Sequence, residues 1–291
     1  MPSSPRPAPA PPATPTLADL RAELDRLDDG IHDLLMRRAA VVARIPALGG
    51  KGRVALRPGR EAEILRRLLR RHGGPLPRML LVRLWRELFA ATTGMQQNHL
   101  IAVCETYPGN ASVQCAREHF GALTPLRVHG SAPQAIAEVS AGTATAAVLP
   151  MPAEADNAAW WTALLHHDEP RIHVVARLPF WAPRPEGAPQ VQALVVAAVA
   201  PDPSSHDRTL IGAEVPADIS RARLAANMAA AGFVPGTIVL RRDEDAQTAQ
   251  AVVDVEGYVT DNDARLAALI ELTRPPVVLG AYAVPVDGET A

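Results

Sequence analysis

Between Thr16 and Pro46 the chain has no proline, and its apolar residues fall on one helical stripe. Leu17, Leu20, Leu24, Leu27, Ile31, Leu34, Val41 and Ile45 follow one another at spacings of three, four or seven. That period predicts one helix of about 30 residues, ~45 Å long. A helix in a compact globule usually runs about 8–20 residues. One this long needs a long partner for its stripe, in a coiled coil or an intertwined oligomer. Thr16, with Asp19 three residues on, is a weak capping box at its start. Pro46, Gly49 and Gly50 stop it.

Two shorter helices are predicted next. The first runs from about Gly59 to His72, with Ile64, Leu65, Leu68 and Leu69 on its buried face. Gly73 and Gly74 close it. Pro75 sits where a first turn tolerates proline, and the second continues through Leu80, Leu84, Leu88 and Met95. Residues 16–100 therefore read as an all-α three-helix domain, preceded by a Pro-rich tail at 1–15.

The texture changes at Ile101. Short apolar runs at IAVCETY, LTPLRVHG and TATAAVLPMP alternate with the helical segments VQCAREHF and APQAIAEVSAG. This β–α–β–α–β order predicts a small α/β lobe with a parallel sheet over 101–183. WWTALLHH reads as a further helix, RIHVVARLPF as a strand and 184–190 as a linker. The rest, 191–287, is expected to be an α+β ferredoxin-like domain. It would open on the strand VQALVVAAVA, with helices at ISRARLAANMAAAG and NDARLAALIELT.

Charge is divided between the two parts. Residues 1–100 carry 17 Lys plus Arg against 9 Asp plus Glu; residues 101–291 carry 12 against 22. A basic first domain suits a polyanion in a pocket or nucleic acid on a surface. Asp25, Asp28, Asp29 and Asp33 interrupt any basic stripe, and no aromatic interleaving offers base stacking, so no nucleic-acid partner is expected. No stretch approaches the ~20 apolar residues of a membrane span, and the N-terminus has no apolar signal core. A cytoplasmic protein without a membrane partner is expected. Cys104 and Cys115 make no disulfide scaffold, and His166, His167 and His173 lack metal-ligand spacing. No metal and no cofactor are expected.

The candidate site lies in the helical domain. Arg21 and Arg38 are 17 residues apart on the long helix, ~25 Å along its axis. One small ligand reaches both only if a second, antiparallel copy brings its own Arg21 near this Arg38. The alternative is that both are solvated surface residues. Lys51, Arg57, Arg60 and Glu61 follow in the loop and second helix. Thr92 and Gln96 lie one turn apart on the third. Several guanidinium groups, one carboxylate and neutral donors suit a small dicarboxylate with hydroxyl or ether oxygens.

The blocks LADLRAELDRLDDGIHDLLMRRAAVVARI, RPGREAEILRRLL and LWRELFAATTGMQQ resemble, in that order, the all-helical chorismate mutases. The resemblance implies an intertwined homodimer that rearranges chorismate to prephenate in aromatic amino-acid synthesis, without a cofactor. It assigns Arg21 to a substrate carboxylate across the interface and Arg38 to a carboxylate in its own subunit. Arg60 matches the arginine of the second helix, and Glu61 the glutamate that holds the substrate hydroxyl. Gln96 matches the donor to the ether oxygen, with Thr92 in support. The family places a lysine on that oxygen at the position of Gly49. Lys51, the chain's only lysine, lies two residues on, within reach of the same place. Arg57 stands where some members have an aspartate.

Residues 101–183 resemble the first half-lobe of prephenate dehydratases. Pro150, Met151, Pro152 and Ala153 replace an expected Pro-Ile-Glu-Asn, the Thr-Arg-Phe motif is absent, and there is room for one lobe only. Dehydratase activity is therefore not expected. The stretch VVDVEGYVTDNDARLAALIELTRPPVVLGAYAVP resembles the end of the ACT regulatory domain, which implies an amino-acid effector; the effector signatures themselves are not preserved. The competing reading is a catalytically inactive, chorismate mutase-like dimeric scaffold that senses an amino acid.

Overall fold

The structure is a computed structural model and describes residues 15–48, 55–106, 108–166, 169–243 and 246–288. It divides into two compact units, 1–52 and 53–291.

The first unit contains α1, Leu17–Leu48, a single helix of 32 residues. Thr16 caps it: its hydroxyl accepts from the Asp19 N–H, while the Asp19 carboxylate accepts from the Thr16 N–H at 2.9 Å. The sequence stripe lies on this helix uncovered. Leu24, Leu27, Ile31, Leu34 and Val41 are each more than half exposed.

In the second unit, α2 (Pro58–Arg71) and α3 (Arg78–Gly94) pack together. Leu65 and Leu69 of α2 and Leu81, Val82 and Phe89 of α3 share a core with Phe180, Ala283 and Val286. These two helices are thus built onto the sheet-bearing part of the chain rather than closed on themselves.

The lobe follows as β1 (Ile101–Cys104), α4 (Ala111–Phe120), β2 (Leu126–His129), α5 (Ala132–Ser140), β3 (Ala146–Pro150), β4 (His173–Leu178) and the two-residue β5 (Trp181–Ala182). Then come β6 (Ala193–Ala197), β7 (Asp207–Pro216), α6 (Arg221–Ala230), β8 (Pro235–Arg242), β9 (Thr248–Glu256), β10 (Val277–Ala283) and β11 (Val286–Asp287). Nine strands form one sheet in the order β2-β1-β3-β6-β4-β10-β7-β9-β8, and β11 pairs with β5 apart from it. β1 is parallel to β2 and β3, as the β–α–β–α–β pattern predicts. Alternate residues of these strands face two cores. One holds α5, Trp160 and Trp161; the other holds Cys115, Ala116 and Phe120 of α4.

Three expectations are corrected. The strand 193–197, expected to open the last domain, lies antiparallel between β3 and β4. All five of its residues are buried, as an unalternating apolar run requires when both faces are covered. The segment 184–190 therefore joins two strands of one sheet. The four-stranded antiparallel half begins instead at β7, which the sequence reading missed. Its order β10-β7-β9-β8 is the fourth-first-third-second arrangement of a ferredoxin-like sheet, here with α6 as the one described α-helix. Second, the helix expected at NDARLAALIELT is one 3₁₀ turn, Ala264–Ala268. Glu271 holds a left-handed φ of 59° there and accepts from Asn227 of α6 at 2.8 Å. Third, WWTALLHH lies largely in a 3₁₀ segment, Asp156–Leu165, rather than an α-helix.

The two halves of the sheet meet where β4 runs parallel to β10 at Val174 and Gly280. Gly280 has φ 137°, and a Cβ there would lie 2.1 Å from the Val174 carbonyl oxygen. Only glycine lets the backbones approach so closely. Across this seam Arg171 donates twice to Asp261, at 2.7 and 2.9 Å, and once to the Val278 carbonyl at 3.0 Å. The Tyr282 hydroxyl donates to buried Asp254 at 2.9 Å.

Candidate functional site

On α1, Arg21 is exposed and Arg38 half-buried. Both belong to one unbroken helix, so the ~25 Å between them along the axis holds within one chain. Lys51 and Gly49 lie outside the described residues.

Arg57, Arg60 and Glu61 meet in the first turn of α2. Arg57 is the N-cap and supplies no side-chain cap; Pro58 follows at the first helical position. The turn is capped from elsewhere. The Asp202 carboxylate accepts from the Gly59 and Arg60 N–H groups, each at 3.1 Å, and from the Arg57 guanidinium at 3.2 Å. Arg60 reaches along its own helix to Glu63 at 3.0 Å and is exposed.

Glu61 points the other way. Its carboxylate accepts from Arg86 of α3 at 2.8 Å, and the two side chains are 15% and 4% exposed. Burial pulls Arg86 down to about 10, against the opposing attraction of Glu61. The guanidinium lies 4.8 Å from the centre of the Phe180 ring and within 3.5 Å of His119 Nε2. Burial, then the Arg86 charge, holds His119 well below the usual histidine range; burial also lowers His99. A cavity of about 130 Å³ opens beside this group, lined by Val82, Arg83, Arg86, His119 and Phe180 among others. Sequence reasoning missed Arg86. Its signal was an arginine with Val82 four residues before it and Phe89 three after, on the buried face of a helix.

Thr92 lies in the last turn of α3, whereas Gln96, expected on the same helix, lies two residues past its end at Gly94. The Thr92 hydroxyl donates back to the Leu88 carbonyl at 2.7 Å, and Gln96 donates one amide N–H to the Thr92 carbonyl at 3.2 Å. The neighbouring Gln97 accepts from the Ala55 N–H at 3.3 Å, tying the approach to α2 onto α3. The structure thus brings together Arg57, Arg60 and Glu61 in one turn, and Thr92 with Gln96 at the end of α3.

Among the described residues no three His, Cys, Asp or Glu side chains could hold a metal ion. No described helix is long and apolar enough to cross a membrane. Both cysteines are buried and unbridged.

Comparison with known proteins places these elements. The chorismate mutase type II family model matches residues 20–97. A bifunctional chorismate mutase/prephenate dehydratase of Stutzerimonas stutzeri is 30% identical over 172 residues, which is 54% of this chain and 47% of that protein. The bifunctional enzyme of Aquifex aeolicus is 34% identical over 113 residues, 36% of this chain and 30% of its own. The chain thus spans about half the length of the first of these relatives. Among solved structures, the prephenate dehydratase of Streptococcus mutans superposes with a TM-score of 0.45 at 18% identity, covering 64% of this chain and 98% of that one. Residues 20–97 thus match the chorismate mutase type II family, and about half of the chain is similar to the bifunctional chorismate mutase/prephenate dehydratases.

Proposed function

We propose that this protein is a chorismate mutase that rearranges chorismate to prephenate as a homodimer. The family match over residues 20–97 carries the reading. Arg38, Arg60, Glu61 and Gln96 all fall within the matched residues, and the resemblance gives each of them a substrate contact. Arg38 and Arg60 engage anionic oxygens of the substrate, and the partner subunit's Arg21 supplies a further guanidinium. The resemblance assigns Glu61 to the hydroxyl, a contact its carboxylate would make beside the Arg86 that holds it here, with Arg57 and Thr92 in support. Gln96 and Lys51 are the two candidates for the donor to the ether oxygen. The reaction is unimolecular, so the site works by holding a flexible substrate in its near-attack shape. As the C–O bond breaks, negative charge grows on the ether oxygen. A donor fixed there binds the transition state better than the ground state. The uncovered stripe of α1 supports the dimer.

Turnover of chorismate by the full chain tests this. Chorismate loss should equal prephenate gained, without phenylpyruvate, because Pro150–Ala153 replaces the acid and amide of the dehydratase pattern. Arg38→Ala should lower kcat/KM at least ~100-fold, about 2.7 kcal/mol of transition-state stabilisation. Lys51→Ala separates the two candidates for the ether oxygen: a large loss assigns it to Lys51, and none leaves it to Gln96. Phenylalanine or tyrosine added to the same assay tests the amino-acid effector expected at the C-terminal domain. A folded dimer that leaves millimolar chorismate unchanged would overturn the reading. It would favour the inactive scaffold, which Gly49 in place of the family lysine already suggests.

A further inference from the structure

The first turn of an α-helix leaves N–H groups that no residue of the helix can accept. In α2 the first position is Pro58, which has none, and the Glu61 N–H already bonds the Arg57 carbonyl at 3.0 Å. The Gly59 and Arg60 N–H groups remain. Both go to Asp202, which is more than 140 residues away in sequence. The fit is close: a Cβ on Gly59 would lie 2.1 Å from the Asp202 carbonyl oxygen. A second clamp sits two turns along α2. Arg66 donates to the Ser204 carbonyl and hydroxyl at 2.8 and 2.9 Å. It also donates to the His206 and Val284 carbonyls at 3.0 and 2.6 Å. Ser204 is in turn fixed by the Asp207 carboxylate, which accepts its N–H at 2.8 Å. The segment leading into β7 therefore grips α2 at its N-terminus and its middle.

We propose that Asp202 is a positioning residue for the mutase: it fixes the turn that carries Arg57, Arg60 and Glu61, and so makes the C-terminal half a working part of the N-terminal enzyme. This rests on the mutase reading. Asp202 also occupies the Arg57 guanidinium. Its removal therefore has two opposite effects. The turn loses the partners of two N–H groups, and the reacting geometry loosens. Arg57 is released toward an anionic substrate, which favours binding.

The test is steady-state turnover of chorismate by the full chain with Asp202→Ala and Asp202→Asn, and amide hydrogen exchange at residues 59–61 of the same proteins. Asparagine caps a helix about as well as aspartate. The expected result for Asp202→Ala is a tenfold or greater fall in kcat, with KM unchanged or lower, and lost protection at Gly59 and Arg60. Asp202→Asn should restore protection and bring kcat to within about threefold of wild type. Wild-type kcat in Asp202→Ala despite lost protection would overturn the positioning role. So would undiminished protection in that variant, or failure of asparagine to restore kcat in a protein whose amides are protected. An inactive wild type would instead remove the mutase reading, and this proposal with it; the exchange data would still report whether the cap exists.

Discussion

The Glu61–Arg86 pair places a charge where water does not reach, and its rupture should be costly. With Glu61→Ala, the Arg86 guanidinium keeps its burial and loses its counter-ion. Removing one partner of a buried pair costs ~3–5 kcal/mol. The Phe180 face at 4.8 Å is present with or without Glu61 and leaves this difference unchanged; Glu61 is 15% exposed, which favours the low end. The net expectation is about 3 kcal/mol. In urea, with a slope of ~3 kcal/mol per molar for a chain this size, that lowers the unfolding midpoint by ~1 M. Trp85, the residue before Arg86 in sequence and packed on the same core, gives a fluorescence readout. Glu61→Ala/Arg86→Met removes both charges and leaves a methionine of similar length among Val82, Phe89 and Phe180. It should recover most of the loss, because an apolar replacement of a buried pair is often neutral. A midpoint shift below ~0.3 M in the single variant would refute the reasoning. So would a double variant as unstable as the single.

The α1 stripe should be the dimer contact: burying the remaining half of each leucine contributes ~1 kcal/mol. Leu27→Lys/Leu34→Lys should therefore shift this chain from dimer to monomer in sedimentation equilibrium. His119 and His99 are both held below their unfolded value of ~6.5, so the unfolded chain takes up protons first as pH falls. Stability should be intact above pH ~7 and decline below ~6.5, by at most ~2.7 kcal/mol per pH unit for two histidines; His119→Gln should roughly halve the slope in urea titrations. Gly59→Ala should destabilise by ~1–3 kcal/mol through overpacking against Asp202. Gly30→Ala on α1, where a Cβ meets nothing within 4 Å, should instead stabilise by ~0.5–1 kcal/mol in thermal melts.

The helices and most strands were legible because their causes are local. Apolar spacing wrote α1, α2 and α3, glycines marked their ends, and the alternation after Ile101 gave the parallel strands. What failed depended on partners far along the chain. The run at 193–197 announced a strand but not its neighbours, and its unbroken apolar character was the unused clue. β7 was missed because Arg208 and Glu214 interrupt its apolar residues and PDPSSHD before it signals a turn. Leu266 and Leu269 suggested a helix, while Glu271 turns the backbone aside. At the site, Arg57, Arg60 and Glu61 were readable as a cluster. The Arg86 that claims the Glu61 carboxylate was not, nor was the Asp202 that caps their turn, since neither lies near them in sequence.

The position of β6 also governs how this protein can come apart. β3 and β4 do not pair with each other; each is hydrogen-bonded to β6, which is synthesised after both. A nascent chain that has emerged only as far as residue 190 holds two strands with a vacant slot between them. The sheet closes when residues 193–197 enter that slot, and the β4–β10 seam then joins it to the rest. Assembly is therefore governed by distant segments finding one another, which makes it slow relative to the local helices. Once closed, the nine strands share one hydrogen-bonded plate. A cut in the 184–190 connection would sever the covalent link to β6 and leave its ladder intact, so the two fragments should stay together after proteolysis and separate only on denaturation.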